Sequence, residues 1–131
     1  LSIYEKTWFK IFCWLLVVSY MGLIFYVSHQ TFAPSPQLFP HIDKLLHFTC
    51  YFGLAFLLAQ ANAHGPMRKR FWIAFAIASL YGITDEIHQS FVPGREADFW
   101  DWLADSSGAW VGAYLFLKSE PVWRRSARTL H

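Results

Sequence analysis

The sequence predicts an all-α, polytopic membrane protein, a four-transmembrane-helix bundle, and three observations carry that expectation. Hydrophobic residues make up 55% of the 131-residue chain and aromatic residues 20%, whereas charged residues reach 15%, well under the roughly 25% of an average soluble domain. Apolar stretches long enough to cross a bilayer recur four times. Lys and Arg gather on one set of the connections between them. This composition excludes a disordered chain. Two cysteines are too few for a disulfide scaffold or a four-cysteine zinc site. A net charge of +2 without a basic stripe gives no surface for nucleic acid. At this length a single domain, residues 1–131, is expected.

The first span is expected at residues 8–28, with Lys10 as its one charge. Roughly twenty residues at 1.5 Å each cover the ~30 Å of a bilayer's hydrocarbon. The second, at 42–63, is apolar apart from Asp43, Lys44, His47 and a few neutral polar groups. The third, at 71–90, is uncharged through Thr84 and then meets Asp85-Glu86-Ile87-His88-Gln89. The fourth, at 100–118, carries Asp101 and Asp105 at its beginning. Apolar side chains surround the helical wheel in all four, as lipid contact requires, and none alternates in the manner of a membrane β-strand. The breaks are Pro34, Pro36 and Pro40, then His64-Gly65-Pro66, then Phe91-Val92-Pro93-Gly94-Arg95, and finally Pro121 after the fourth segment. The first apolar run is too long for the core of a signal peptide, so a retained helix is expected. The chain opens on Leu1, and a few residues are expected to precede it. Ala104, Gly108 and Gly112 form a small-residue face suited to close packing within the chain.

Basic residues set the orientation. Nine of the eleven, Lys6, Lys10, Arg68, Lys69, Arg70, Lys118, Arg124, Arg125 and Arg128, share one side of a four-span topology, leaving Lys44 and Arg95 on the other. Both termini are therefore expected to be cytoplasmic. Trp8, Trp72, Trp100, Trp102 and Trp123 fall near span ends, as interfacial anchors do. Cys13 and Cys50 fall at different depths and are expected to be free thiols.

The same topology gathers the polar residues toward the extracytoplasmic side. Asp43, Lys44 and His47 open span two; Asp85, Glu86, His88 and Gln89 close span three; Asp98, Asp101 and Asp105 open span four. Counted from the cytoplasmic ends, His47, Asp85 and Asp105 stand about 20–24 Å up at 1.5 Å per residue, a common level below the outer interface. Charges at that depth must turn inward and find partners. The pairs Asp43/His47, Asp85/Gln89 and Asp101/Asp105 are each four residues apart, so each lies on one helix face. One outward-opening pocket lined by Asp43, Lys44, His47, Asp85, Glu86, Gln89, Arg95, Asp101 and Asp105 is expected. Arg95, at its mouth, suits an anion. The bland readings stand beside this one: Asp85 and Glu86 as ion-pair partners of Lys44 or Arg95, and His47 as a neutral histidine donating to Asp43 or a neighbouring helix. His88 lies off the stripe, and His29, His41 and His64 are expected in solvated loops.

These residues resemble a known family. Asp43-Lys44-Leu45-Leu46-His47-Phe48 with Tyr51-Phe52-Gly53-Leu54 resembles the D-K-x-x-H-F-x-x-Y motif of the VanZ-like integral membrane proteins. Asp85-Glu86-Ile87-His88-Gln89-Ser90-Phe91, with Pro93-Gly94-Arg95 and Asp98, is similar to its second segment, and Asp101 through Gly108 to its closing D-x-x-x-N-x-x-G. Position 105 departs, with Asp where many members have Asn. The resemblance spans residues 42–112. It implies a multi-pass protein of the bacterial cytoplasmic (inner) membrane in a cell-envelope context, in a family linked to glycopeptide antibiotic resistance, and it names no reaction.

Three functions compete. The first is a binding protein whose outward pocket receives a lipid headgroup, peptide carboxylate or lipid-linked cell-wall precursor. The alternative is a membrane-embedded enzyme using the clustered carboxylates and His47, metal-assisted through Asp101 and Asp105; the sequence leaves catalysis open and shows no nucleophile motif. The third, an ion conduit, is opposed by the apolar cytoplasmic halves of the helices. No cofactor is implied. The excess of carboxylates over Lys44 and Arg95 requires either protonation or a bound cation. The metal-free, protonated state is the expectation, because hard cations take six or more oxygen ligands. Partners beyond the bilayer and such a ligand, and the oligomeric state, are not legible.

Overall fold

The structure is a computed structural model that describes residues 6–30, 42–62 and 66–128, with side chains through Glu120. It contains α1 (Thr7–His29), α2 (Ile42–Ala61), α3 (Met67–Ser90) and α4 (Phe99–Arg128), with no strand among the described residues. Two of these helices, α1 and α2, are long and apolar enough to cross a membrane.

Local chemistry explains most of the helix ends. Pro66 stands immediately before α3, where its fixed φ suits helix entry and its missing N–H is no loss. Asp98 precedes α4, and its Oδ1 accepts the Trp100 N–H at 2.9 Å, a side-chain cap on the first turn. Between α3 and α4 the Arg95 N–H reaches the Val92 carbonyl at 3.1 Å. Pro93 sits at the second position and Gly94 at the third with φ +81°, which makes a type II turn that needs that glycine. The expected breaks at Pro34, Pro36, Pro40 and at His64-Gly65 lie outside the described residues.

Two boundaries differ from the sequence expectation. α3 starts at Met67, so Arg68 to Arg70 belong to the helix and not to a loop. Its first turn accepts them because Arg70 is turned back into the protein, 3% exposed. α4 continues through Pro121 to Arg128. A proline removes one backbone donor and strains one carbonyl four residues back, and the bonds on either side carry the helix past it.

α2 and α4 form the closest pairing. A Cβ on Gly108 would strike the Phe48 carbonyl oxygen, and one on Gly112 the Phe52 carbonyl oxygen. The two backbones are therefore in contact one helical turn apart, the intramolecular packing expected of the small-residue face. Around this seam Leu54, Ala55, Leu58 and Ala59 of α2 meet Ala74 and Ala78 of α3 and Ala109, Ala113 and Phe116 of α4. Cys13 and Cys50 are free thiols.

α1 lies against α2 and α3 with Cys13, Val17, Ile24 and Ser28 buried, while Ile11, Leu15, Val18, Leu23 and Tyr26 face outward. Two tyrosine hydroxyls hold it: Tyr20 donates to the Cys50 carbonyl at 2.8 Å, and Tyr81 donates to the Met21 carbonyl at 2.6 Å. Trp102, expected as an interfacial anchor, donates its indole N–H to the Ser79 carbonyl at 3.1 Å, so it pins α4 to α3.

Candidate functional site

The start of α2, the end of α3 and the start of α4 meet at one end of the molecule, and each brings polar side chains there. Acidic residues suit the start of α4, where the helix dipole favours negative charge, and Asp98 and Asp101 occupy it. Lys44 faces them. Its ammonium donates to Asp43 Oδ2 at 2.9 Å, Asp98 Oδ2 at 2.9 Å and Asp101 Oδ1 at 2.5 Å. Asp98 precedes α4, and the Lys44 ammonium, followed by the Trp100 N–H, holds its carboxyl below the usual range.

One turn further along α2, His47 Nδ1 lies 2.8 Å from Asp105 Oδ1 and Nε2 lies 3.7 Å from Asp101 Oδ2. Asp101 and Asp105 thus present one stripe, as their spacing predicts, and Lys44 and His47 answer it. Asp43, expected to share that face with His47, instead engages its neighbour Lys44 and is half exposed. The rotation of α2 set by the Gly108 contact turns positions 44 and 47 toward α4.

α3 closes the cluster. Tyr51 of α2 donates to Asp85 Oδ2 at 3.4 Å. Glu86 Oε2 accepts the Asp98 N–H at 2.8 Å and so ties α3 to the entrance of α4. Asp85, Glu86, Asp101 and Asp105 are all buried. Asp105 Oδ2 and Glu86 Oε1 have no hydrogen-bond partner among the described residues. One ligand atom each from His47, Asp85, Glu86 and Asp105 lies within 4.8 Å of the other three, a grouping able to hold a metal ion.

Of the residues singled out in the sequence, Lys44, His47, Asp85, Glu86, Asp101 and Asp105 converge here, with Asp43 at the rim. Arg95 follows the glycine of the type II turn and is half-buried. Gln89 is buried, and its amide donates to Ser28 Oγ at 3.1 Å, joining α3 to α1. His88 lies 3.1 Å from His29 and stacks on Phe25. His29 therefore ends α1 in a ring stack and is not in a free loop. His41 and His64 lie outside the described residues.

Sequence reasoning left Tyr51 without a role, although it stands four residues beyond His47 on the same face. It also missed a second buried polar group at the other end of the helices. Arg70 Nη1 reaches Glu120 at 2.8 Å, Nη2 donates to the Ala59 carbonyl at 2.9 Å and Nε to the Asn62 carbonyl at 2.6 Å. The Ala59 carbonyl belongs to the last turn of α2 and Asn62 follows its end, where a cation is suited.

Beside the cluster, a shallow groove of about 340 Å³ opens on the outer surface between α3 and the start of α4. Ile83, Ile87, Phe99 and Trp102 line it together with Glu86 and Asp98. Glu86 belongs to both the groove and the buried cluster.

The family model VanZ/LLP1 matches residues 7–123, and so takes in α1 as well as the three helices that carry the motifs. No curated protein and no solved structure matches the chain.

Proposed function

The chain belongs to the VanZ/LLP1 family, and on that footing we propose that it is a multi-pass protein of the bacterial cytoplasmic membrane that binds an anionic, lipid-linked ligand of the cell envelope. In this reading residues 1–131 form one domain, all four helices span, both termini are cytoplasmic, and the polar cluster opens to the extracytoplasmic side. The basic bias and the outward apolar surface of α1 support the topology. A link to glycopeptide resistance would follow from occupancy of such a ligand.

One observation carries the ligand class. Glu86 stands where an apolar groove on the outer surface meets the buried cluster. An amphiphile fits that junction, its chain against Ile83, Ile87 and Phe99 and its headgroup toward the turn that carries Arg95. Arg95, in the adjoining turn, supplies a guanidinium suited to phosphate or carboxylate.

Two experiments test this. Reporter fusions at His131 and near Gln37 should place the first inside and the second outside; an extracytoplasmic His131 would overturn the orientation. Protein extracted in mild detergent and examined by native mass spectrometry should retain a phosphate-bearing lipid. Ile87→Trp, which fills the groove, should lose it. Retention of neutral and anionic lipids alike, unaffected by Ile87→Trp, would sink the ligand reading.

A further inference from the structure

We propose that His47, Asp85, Glu86 and Asp105 bind a divalent metal ion of the Mn²⁺ or Zn²⁺ kind. The four residues come from α2, α3 and α4, and their ligand atoms lie within 4.8 Å of one another. Donors on opposite sides of one ion stand about 4–5 Å apart at bond lengths of about 2.0–2.4 Å. Four ligand atoms gathered this closely are a grouping that can close around a single cation.

Three further observations point to an occupant. Asp105 is fully buried, spends Oδ1 on His47 and leaves Oδ2 without a partner among the described residues; Glu86, 7% exposed, spends Oε2 on the Asp98 N–H and likewise leaves Oε1 without one there. Such oxygens, taken out of water, call for a donor or a cation. Lys44 does not supply it. An ammonium has three N–H donors, and those of Lys44 go to Asp43, Asp98 and Asp101. The side of α3 facing Asp105 is a glycine: a Cβ on Gly82 would stand 3.1 Å from Asp105 Oδ2. Any larger residue there would crowd the unpaired oxygen.

The donor set selects the ion. An imidazole favours transition metals over Ca²⁺ and Mg²⁺, while carboxylates suit Mn²⁺ and are common on Zn²⁺. This departs from the metal-free, protonated pocket expected of the sequence. The folded chain supplies four converging ligands, and Asp101, expected to hold an ion with Asp105, is committed to Lys44. The site stands whether or not a lipid-linked ligand binds beside it.

The test uses tag-free protein in detergent, stripped with chelator and dialysed against Zn²⁺ or Mn²⁺. Elemental analysis should find near one ion per chain. Asp105→Asn and Glu86→Gln should weaken binding by about tenfold or more, and Glu96→Gln, an exposed carboxylate in the loop before α4, should keep it. Pulsed electron paramagnetic resonance of the Mn²⁺-loaded wild type should show nitrogen coupling from an imidazole, a readout that needs no variant to fold, and His47→Gln should lose it. No ion above the buffer blank would overturn the proposal. So would equal binding by Asp105→Asn and Glu86→Gln, Mn²⁺ without nitrogen coupling, or coupling that survives in His47→Gln.

Discussion

Arg70 at one end of α2 and Asp105 at the other are both buried ionisable groups, 3% and 0% exposed, yet they are treated in opposite ways. Arg70 is matched: one carboxylate from α4 and two carbonyls from the end of α2 take its donors. Asp105 shares its surroundings with Asp85, Glu86 and one imidazole, and one of its oxygens has no partner among the described residues. Burying charge is expensive in either case. At the Arg70 end the expense is offset within the chain, and the result is a clasp that closes α2, α3 and α4 together. At the Asp105 end it is left standing among the described residues, and the proposed ion would offset it.

The largest expected effect breaks the matched end. Arg70→Ala removes the guanidinium that meets Glu120 and the end of α2 and should cost about 3–5 kcal/mol, read as a lower thermal midpoint in detergent. The paired change Arg70→Met with Glu120→Leu should recover most of that loss. If Arg70→Ala unfolds at the wild-type temperature, the clasp is not structural. Next comes the seam on which both ends depend. Gly108→Val drives a side chain into the Phe48 carbonyl and should cost about 1–3 kcal/mol. Backbone on the far side cannot repack, so wild-type thermal stability in this variant would contradict the close approach.

The unmatched end should respond with the opposite sign. Asp105→Asn removes a buried charge while keeping an oxygen for His47, so in metal-free protein it should raise stability by about 1 kcal/mol. Destabilisation there would show that Asp105 is as fully matched as Arg70. The smallest effect concerns Asp98. Its carboxyl is held below the usual range by Lys44. The stability this contributes is therefore present above the ordinary carboxylate range and lost as pH falls through the lowered value. Asp98→Asn should flatten the acid limb of a stability–pH curve and leave neutral pH nearly unchanged; an unaltered acid limb would remove Asp98 as its source.

Much of this architecture was legible in the sequence, for identifiable reasons. Apolar runs bounded by Pro66, the Pro93-Gly94 turn and the acidic opening of α4 placed the helices within a few residues, save the end of α4, which passes the expected 118 and Pro121 to reach Arg128. The Gly108/Gly112 face was legible because a small residue every fourth position has few other uses. The spacing of Asp101 and Asp105 located their stripe. What spacing could not encode is helix rotation, a tertiary quantity. It turned Lys44 rather than Asp43 toward α4 and sent Gln89 to Ser28. Arg70 was misread for a different reason: three basic residues in a row look like a solvated loop, and its partner Glu120 is fifty positions away.

The tyrosines at Tyr20 and Tyr81 set an elevation. One hydroxyl leaves α1 for the Cys50 carbonyl and the other arrives from α3 at the Met21 carbonyl, on adjacent residues of the same helix. Neither uses a charge, so neither is penalised by an apolar setting. A slip of α1 by one turn, about 5.4 Å, would break both at once and drive the Tyr20 ring out of the space that Gly53 leaves for it. A helix with most of its surface facing outward is thereby held at one height. His29 stays level with His88, and Ser28 with Gln89, by a latch placed halfway down the helix rather than at the end it aligns.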